Sequence, residues 1–452
     1  MGEGGLFGDV FGSPEMREVF SDRGLVQRWL DAEAALARAE AKVGLVPADV
    51  AEEISAQANA AEFDLDALRE ARNVADHPLI PTVHALTAKC TPRASGYVHW
   101  GATSQDIMDT GAVLQLREAL VLLEQDLRAL GTAVGDLARA HRATPAVGRT
   151  HGQHAVPITF GLKAASWLTE VDRHLVRLVE LRPRVLVGQL GGAAGTLASL
   201  GEAGIRVRQA FCDELGLARP SCAWHSARDG LVEAVLWMSL LAGTCSRIAR
   251  EFMQLQRSEI AEVEEAQPRG KIGSSTMPQK RNPMTAEEII AAARLARSMA
   301  APALEIQVGE HERDMSSWGS EWWLLPQAGI LTHGALSRTV GLVDQAIVRP
   351  EAMRRNLDML GGLPLAEAVM MRLAPTLGRG PAHELLHDLA REVAESGADF
   401  VQLLRNNTVV GGIVTEEQLT EILDPMNYLG SAIADVDATV CSYEGRWGAP
   451  RS

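Results

Sequence analysis

Residues 231–263 read LVEAVLWMSLLAGTCSRIAREFMQLQRSEIAEV, and this stretch decides the fold class. It contains no proline and a single glycine, Gly243, so little in it interrupts a helix. Such a helix would be far longer than the average of about 11–12 residues. Long amphipathic helices usually pack in bundles, often across subunits, so we expect a helical bundle.

Helical patterns continue on both sides of this stretch. Ser21 and Asp22 can cap a helix whose apolar residues, from Leu25 to Ala39, keep helical spacing. The same spacing predicts further helices over residues 110–140, 166–181 and 285–300, with Pro183 ending the second of them. No β-branched strands alternate with these helices, and the chain contains neither a P-loop nor GxGxxG. The predicted fold class is therefore all-α.

The glycine-rich segment Gly188–Gly195 fits neither phosphate-binding motif, so it indicates a bend where backbones pack closely. Two other features divide the chain. The polar segment Gly101–Asp106 precedes the first long helix, and Pro350 begins a region of shorter helices. We predict an N-terminal helical domain over residues 1–107, a central long-helix bundle over 108–350 and a C-terminal helical domain over 351–452.

Composition excludes several classes of protein. The 58 acidic and 43 basic residues among 452 give a net charge of −15, which disfavours nucleic acid as a partner. The five cysteines are far apart and form no CxxC, so disulfides and zinc are not expected and a reducing cytoplasm fits best. Met1–Gly5 shows no signal-peptide pattern. The longest charge-free stretch, Val185–Gly201, is too short and glycine-rich to span a membrane.

The segment Gly273–Pro283 reads GSSTMPQKRNP and carries the most unusual chemistry. It places small hydroxyl residues near Lys280 and Asn282, between a glycine loop and a predicted helix. A hydroxyl near a cation loses its proton more easily, and a lysine with an amide can hold a carboxylate. By composition alone, the same segment is also typical of a flexible surface loop.

The full string resembles the signature of the fumarase/aspartase superfamily, which includes adenylosuccinate lyase, argininosuccinate lyase and 3-carboxy-cis,cis-muconate cycloisomerase. We call Gly273–Pro283 the signature loop. Two further blocks match in the expected order: Gly101–Asp106 resembles the first carboxylate loop and Gly148–Ala155 the second. The resemblance implies a mostly helical subunit and a tetramer with a long-helix core. It also implies active sites assembled from three chains, a small dicarboxylate substrate, and no cofactor or metal.

The implied chemistry is β-elimination. A proton leaves the carbon beside a carboxylate, a group leaves the neighbouring carbon, and the intermediate carries two negative charges on one carboxylate. Such an intermediate needs donors and cations fixed in advance. By resemblance, Ser274 is the base, Lys280 and Asn282 stabilise the intermediate, and Thr103 and Ser104 bind a carboxylate. The further residues predicted to bind substrate are Gln153, Ser275 and His77.

The leaving group needs an acid with a pKa near neutrality, which histidine supplies. His151 matches the histidine acid of adenylosuccinate lyase, and Glu287 matches the glutamate paired with it. A carboxylate on one imidazole nitrogen fixes the tautomer and supports the charged form. His77 matches a second active-site histidine of that enzyme, whereas His154 either takes part or supports the loop.

Two sets of residues favour different members of the family. The segments typical of the cycloisomerase branch are Tyr97–Asp106, Glu310–Arg313 with Trp318 and Trp322, and Gly362–Ala368. Bacterial cycloisomerases, however, usually have tryptophan where His151 stands and no histidine where His77 stands. A lactonising enzyme adds a carboxylate to an alkene and needs no such acid, whereas a C–N lyase does.

We therefore predict a C–N lyase that releases fumarate from a small, non-nucleotide N-substituted aspartate. The alternatives are a 3-carboxy-cis,cis-muconate cycloisomerase and adenylosuccinate lyase itself. Val10 and Phe11 argue against the latter because they replace an Arg-Tyr pair that helps to bind the nucleotide. A catalytically dead structural relative is disfavoured by the intact set of site residues. The Glu310–Arg313 segment lacks the companions of a metal site, and Trp224–Asp229 is either a capped helix start or a segment facing the substrate or an interface.

Overall fold

The structure, a computed structural model, describes residue 5 and residues 7–314 and 316–448. Most of the stretch examined for a signal peptide, Met1–Gly4, lies outside the described residues. The chain is 69% helical, which confirms the all-α prediction. The α-helices are Gly8–Phe11, Pro14–Val19, Asp22–Lys42, Ala48–Gln57, Leu65–Ala75, Ile80–Lys89, Pro92–Ser95, Ser104–Ala140, Phe160–Val185, Gly204–Leu215, Asp229–Leu255, Met284–Ser298, Ala300–Ile306, Trp318–Asp344, Pro350–Asp358, Ala366–Leu377, Arg379–Ser396, Phe400–Asn406, Thr408–Gly411, Glu416–Ile422 and Ala432–Trp447.

Three predicted helix boundaries need correction. The first long helix begins at Ser104 rather than residue 110, because Asp106 caps its first turn. The helix Phe160–Val185 continues past Pro183 for two residues, so this proline lies in its last turn and does not mark its end. The helix of residues 231–263 is Asp229–Leu255, and Val263 lies instead in a short strand.

The strands form two small antiparallel pairs in the described part of the chain. Strands β1 (Pro145–Thr150) and β2 (Gln153–Thr159) make a hairpin that the helical periodicity did not predict. Strand β3 (Val263–Glu264) pairs with β4 (Ile347–Val348). The hairpin contains the second carboxylate loop, so it decides how His151 is presented.

The chain divides into two compact units. Unit 1 comprises the described residues up to Leu127 together with His174–Ser246 and Glu288–Arg338, and unit 2 comprises Arg128–Arg173, Arg247–Glu287 and the described residues from Thr339. Each unit therefore draws on three separate parts of the sequence. The three-part division at residues 107 and 350 stays a prediction.

Each unit has its own apolar core. In unit 1 the helix Asp22–Lys42 buries Trp29, Leu30 and Leu36 against other helices, and the Ser21 hydroxyl accepts a hydrogen bond from the Gly24 N–H (3.0 Å) as the predicted cap. The core of unit 2 is formed by Val369, Leu373, Leu386, Phe400, Leu404, Val410 and Leu419 with their neighbours.

The helix Asp229–Leu255 is long and apolar enough to cross a membrane by those two criteria alone. However, 72% of its most apolar window is buried within the protein, as in the core helix of a globular enzyme. All five cysteines are described, and each is a free thiol.

Candidate active site

The first carboxylate loop caps the N-terminus of the long helix Ser104–Ala140. The Thr103 N–H donates to Asp106 Oδ2 (2.9 Å), and the Asp106 N–H donates to the Thr103 carbonyl (2.9 Å). This reciprocal pair satisfies an N–H group that would otherwise lack a partner at the helix N-terminus. Thr103 and Ser104 are consequently held at the N-terminus of the helix, where the helix dipole favours an anion.

Asp106 also ties this loop to two other segments of unit 1. Its buried carboxylate accepts hydrogen bonds from the Gly191 N–H (2.8 Å) and the Gly192 N–H (2.9 Å). His225 Nε2 lies 2.7 Å from Oδ1, the oxygen that also accepts from Gly191. With the Thr103 N–H, four groups surround one carboxylate, which makes the loop rigid. The spacing Thr103-x-x-Asp106 is the sequence signal that could have predicted this role.

The glycine-rich segment packs closely, as predicted. A Cβ on Gly191 would lie 2.7 Å from the Ala223 Cβ, and one on Gly188 would lie 2.7 Å from the Cys212 Sγ. Any larger residue at either position would push the segment away from its neighbours. The two N–H groups that bind Asp106 could then no longer reach it.

His77 lies beside the first carboxylate loop. Its Nδ1 accepts hydrogen bonds from the N–H groups of Leu79 (3.3 Å) and Ile80 (3.2 Å), and its Nε2 lies 3.4 Å from the Ser104 Oγ. Burial lowers the pKa of His77, and the charge of His99 adds to this. The ring is therefore neutral near pH 7 with its proton on Nε2, so it donates toward Ser104.

Arg313 adds a cation to the same loop. Its Nη1 donates to the Thr103 Oγ1 (3.0 Å), and its Nη2 donates to the Ala193 carbonyl (2.8 Å). The sequence placed Arg313 in a segment of the cycloisomerase type but gave it no role. The contact puts a guanidinium next to the hydroxyl predicted to bind a carboxylate.

Among the described residues, no group of three or more His, Cys, Asp or Glu side chains could hold a metal ion.

Of the two interpretations of Trp224–Asp229, the contacts favour a structural one. Arg228, only 4% exposed, donates to Asp109 through two nitrogens (2.8 and 3.0 Å) and to Glu321 (2.7 Å). Trp318 Nε1 also donates to Asp109 (3.2 Å). A buried cation between two carboxylates is already neutralised, so Arg228 fixes helix positions in unit 1.

In unit 2, His151 occupies the turn of the hairpin. His151 (φ 51°) and Gly152 (φ 77°) both have left-handed backbones, and Thr150 pairs with Gln153 across them. Two left-handed residues between paired strands form a type I′ turn. His151 and Gln153 are exposed there, which leaves the imidazole of His151 accessible.

A buried network holds the base of this hairpin. The guanidinium of Arg149 donates twice to Glu262 (3.0 and 2.6 Å), and Asn356 Nδ2 donates to the same carboxylate (2.8 Å). His154 is paired with Arg149 across the hairpin, and burial lowers its pKa, as does the charge of Arg149. Its Nδ1 is buried and has no hydrogen-bond partner among the described residues. These features favour the supporting role for His154.

The signature loop presents Ser274 as a hydrogen-bond acceptor. The Ser274 Oγ accepts from the N–H groups of Thr276 (3.3 Å) and Met277 (3.1 Å). Donors aimed at a hydroxyl oxygen stabilise its deprotonated form. Loop amides can therefore support the predicted base. Ser275 and Lys280 are exposed in the same loop, Asn282 is half-buried, and Glu287 is exposed in the first turn of the following helix.

Comparisons with known proteins identify the family of the chain. A family model described as "Lyase" matches residues 11–297, and one described as "Adenylosuccinate lyase C-terminus" matches residues 362–439. The chain is 45% identical to 3-carboxy-cis,cis-muconate cycloisomerase of Pseudomonas aeruginosa, covering 97% of this chain and 96% of the relative. It is 40% identical to N-acetyl-S-(2-succino)cysteine lyase of Dickeya dadantii, covering 97% of each.

A solved structure is similar over nearly the whole chain. The 3-carboxy-cis,cis-muconate lactonizing enzyme of Pseudomonas putida has a TM-score of 0.93 and 43% identity, covering 98% of this chain and 100% of that one. The chain therefore belongs to the fumarase/aspartase superfamily. Within that superfamily it is an enzyme of the lyase type.

Proposed function

We propose that the protein catalyses addition and elimination of a group at the β-carbon of a carboxylate. We propose 3-carboxy-cis,cis-muconate as its substrate. In the forward direction, a carboxylate oxygen of the substrate adds to one alkene carbon and a proton is delivered to the neighbouring carbon. The intermediate holds its charge on the carboxylate beside that carbon. This was the alternative in the sequence prediction, and the relatives favour it over the predicted C–N lyase.

The observation that carries the proposal is the contact between Arg313 and Thr103. It joins the segment typical of cycloisomerases to the first carboxylate loop, at 3.0 Å. 3-Carboxy-cis,cis-muconate carries three carboxylates, so an additional guanidinium at the carboxylate-binding hydroxyl suits it. Ser274 and Lys280 keep their predicted roles in moving the proton and stabilising the intermediate.

A second candidate is a lyase that releases fumarate from a small S- or N-substituted succinate. The specific observation in its favour is His151, accessible on the hairpin turn where bacterial cycloisomerases usually carry tryptophan. Histidine can protonate a departing amine or thiolate. The similarity to N-acetyl-S-(2-succino)cysteine lyase supports sulfur as a leaving atom beside the nitrogen predicted from sequence.

One assay separates the two candidates. Purified wild-type protein is given 3-carboxy-cis,cis-muconate, N-acetyl-S-(2-succino)cysteine or a panel of N-substituted aspartates, including adenylosuccinate. Loss of the conjugated-diene absorbance and formation of fumarate are followed separately. Turnover of the muconate alone supports the first candidate. Fumarate release without any loss of the diene overturns it in favour of the second.

We also propose a homotetramer whose active sites combine residues from several chains, in a reducing cytoplasm that suits the five free thiols. The first and second carboxylate loops and the signature loop would then come from different copies. For the fumarate-releasing candidate, in which His151 is the acid, the His151→Ala and Ser274→Ala proteins should each be inactive and should regain part of the activity when refolded together. Absence of recovery in verified mixed oligomers would contradict shared sites.

A further inference from the structure

The signature loop is exposed, yet buried and half-buried side chains join the two segments that flank it. Glu265, 2% exposed, precedes the loop and follows strand β3. Lys271 Nζ donates to Glu265 Oε2 (2.9 Å) and to Thr285 Oγ1 (2.9 Å). Thr285 lies beyond the far end of the loop. One ammonium group therefore links the chain before the loop to the chain after it.

Glu265 makes the same link through the backbone. Its Oε2 accepts from the Thr285 N–H (3.1 Å), and its Oε1 accepts from the Ala286 N–H (2.8 Å). These N–H groups belong to the first turn of the helix Met284–Ser298, where no carbonyl within the helix can pair with them. A carboxylate at this position also suits the helix dipole. Glu265 consequently fixes the start of this helix. Glu287 directly follows Ala286 in the same turn.

Gln256 supplies a third link. Its Nε2 donates to the Arg281 carbonyl (2.9 Å), inside the signature loop, and its Oε1 accepts from the Glu265 N–H (2.9 Å). One amide side chain thus joins the loop backbone to the backbone of Glu265. We call Gln256, Glu265, Lys271 and Thr285 the loop clasp.

The two ends of the signature loop also lie close to each other. A Cβ on Gly273 would lie 2.7 Å from the Lys280 carbonyl, and the Asn282 N–H lies 3.4 Å from the Gly273 carbonyl. The two ends of the loop are therefore in contact at Gly273. A shift at either end passes to Ser274 on one side and to Lys280 on the other.

We propose that the loop clasp positions the catalytic groups of the signature loop. Its members act through the backbone on Ser274, Lys280 and Glu287. This inference rests on the proposed function only for its kinetic consequence, because the contacts hold for any substrate. Misplacing a catalytic group by about 1 Å can cost about 10²-fold in rate. Loss of the ammonium that spans the clasp should therefore reduce kcat more than it changes KM.

The test compares Lys271→Met with Lys163→Met. Lys163 is exposed to a similar extent and forms an ion pair with Glu251 (2.5 Å) in the same unit, and neither residue belongs to the loop clasp. With the substrate that the wild type converts, Lys271→Met should lower kcat about 10–100-fold. Its KM should change less than about threefold, whereas Lys163→Met should leave kcat within about twofold. Lys271→Arg should restore most of the rate because it keeps the charge and the donors.

A second measurement needs no substrate. Limited trypsin digestion cleaves after Lys280 or Arg281 when the loop opens, and fragment masses identify the cut. Cleavage there should be several-fold faster in Lys271→Met than in wild type, and unchanged in Lys163→Met. Thr285→Val removes one partner of Lys271 with little change in shape. It should give a smaller effect of the same kind if Lys271→Met does not fold.

Equal cleavage rates in wild type, Lys271→Met and Thr285→Val would overturn the proposal. So would a kcat for Lys271→Met within twofold of wild type, or an equal loss in Lys163→Met. If the wild type converts neither class of substrate, the proposed function fails, and the digestion rates alone decide whether the clasp holds the loop.

Discussion

The first carboxylate loop and the signature loop are held in opposite ways. In the first, Asp106 is buried and accepts from three backbone N–H groups, while His225 adds a fourth partner. In the second, Ser274 relies on two amides of its own loop, and the buried contacts lie at the loop ends. The first loop is fixed by a buried carboxylate of its own, and the signature loop by side chains that flank its two ends.

The difference matches the tasks proposed for them. A group that binds a carboxylate gains from preorganised donors, because nothing there changes during the reaction. A base must release and recover a proton, and an exposed loop held at its ends leaves its central residues free to meet the substrate. We therefore expect substitutions in the first loop to act mainly on KM, and those in the signature loop to act on kcat.

The largest effect is expected from Ser274→Ala. Removal of the hydroxyl that transfers the proton should lower kcat by about 10²–10⁴-fold, with substrate binding and thermal stability nearly unchanged. Steady-state kinetics and a thermal melt measure both. Ser275→Ala, at the neighbouring exposed hydroxyl, is the control and should have a much smaller effect. A near wild-type kcat for Ser274→Ala would show that another group transfers the proton.

His151→Asn should separate the two candidate functions, because they predict effects of different size. Asparagine tolerates the left-handed backbone of the turn but cannot transfer a proton, so the hairpin stays intact. Lactonisation of the muconate should fall less than about tenfold, because its attacking carboxylate needs no acid. A loss of about 10²–10⁴-fold would instead indicate general acid catalysis and favour the fumarate-releasing lyase.

Asp106→Asn tests whether the buried Asp106 carboxylate holds the first carboxylate loop. The substitution should weaken substrate binding. The new amide would place N–H groups against backbone N–H donors, which leaves buried groups unpaired at a cost of about 1–3 kcal/mol. KM should rise about tenfold, the melting temperature should fall, and kcat should change less. Asp136→Asn is the matched control, because Asp136 is an exposed residue on the same helix. An unchanged KM would contradict the role given to Asp106.

The smallest effect on activity is expected from Glu40→Gln, which tests the core of unit 1. Burial raises the pKa of Glu40 from 4.5 to about 9, and the nearby charge of Glu33 adds to this. Its carboxyl oxygens have no hydrogen-bond partner among the described residues. The folded chain keeps a proton that the unfolded chain releases, so the free energy of unfolding should fall from about pH 4.5 to about pH 9.

The contribution of Glu40 to this slope is at most about 1.4 kcal/mol per pH unit. Melting temperatures measured from pH 5 to pH 9 should decline less steeply in Glu40→Gln than in wild type. Equal slopes would show that Glu40 does not take up a proton on folding. Because the comparison uses slopes, it does not depend on any constant cost of the buried amide.

The sequence predicted what local patterns encode. The all-α class followed from helical spacing, and the Ser21 cap and the close packing of Gly188 and Gly191 followed from residue type. The three signature blocks led to the superfamily. The hairpin was missed because its turn, His151-Gly152, has no strong alternating pattern beside it. The correct predictions, namely the helical class, the Ser21 cap, the glycine packing and the superfamily, each depended on residues close together in the sequence.

Contacts between distant parts of the sequence were not predictable. Arg313 lies 210 positions from Thr103, and His225 lies 119 from Asp106, so no local spacing reveals either contact. Glu265 and Thr285 are closer, but their bond depends on how the signature loop folds back. The prediction of a C–N lyase over a cycloisomerase rested on His151 and His77, and the relatives support the cycloisomerase alternative better.

The most direct test of the central claim is proton NMR of wild-type protein with 3-carboxy-cis,cis-muconate in deuterium oxide. We predict conversion to a lactone that carries one solvent deuteron on the carbon beside a carboxylate. Ser274→Ala should form this product at least about 10²-fold more slowly. Muconate that stays unchanged while a substituted succinate yields fumarate would contradict the proposed substrate. A lactone without deuterium at that carbon would contradict the proposed proton transfer.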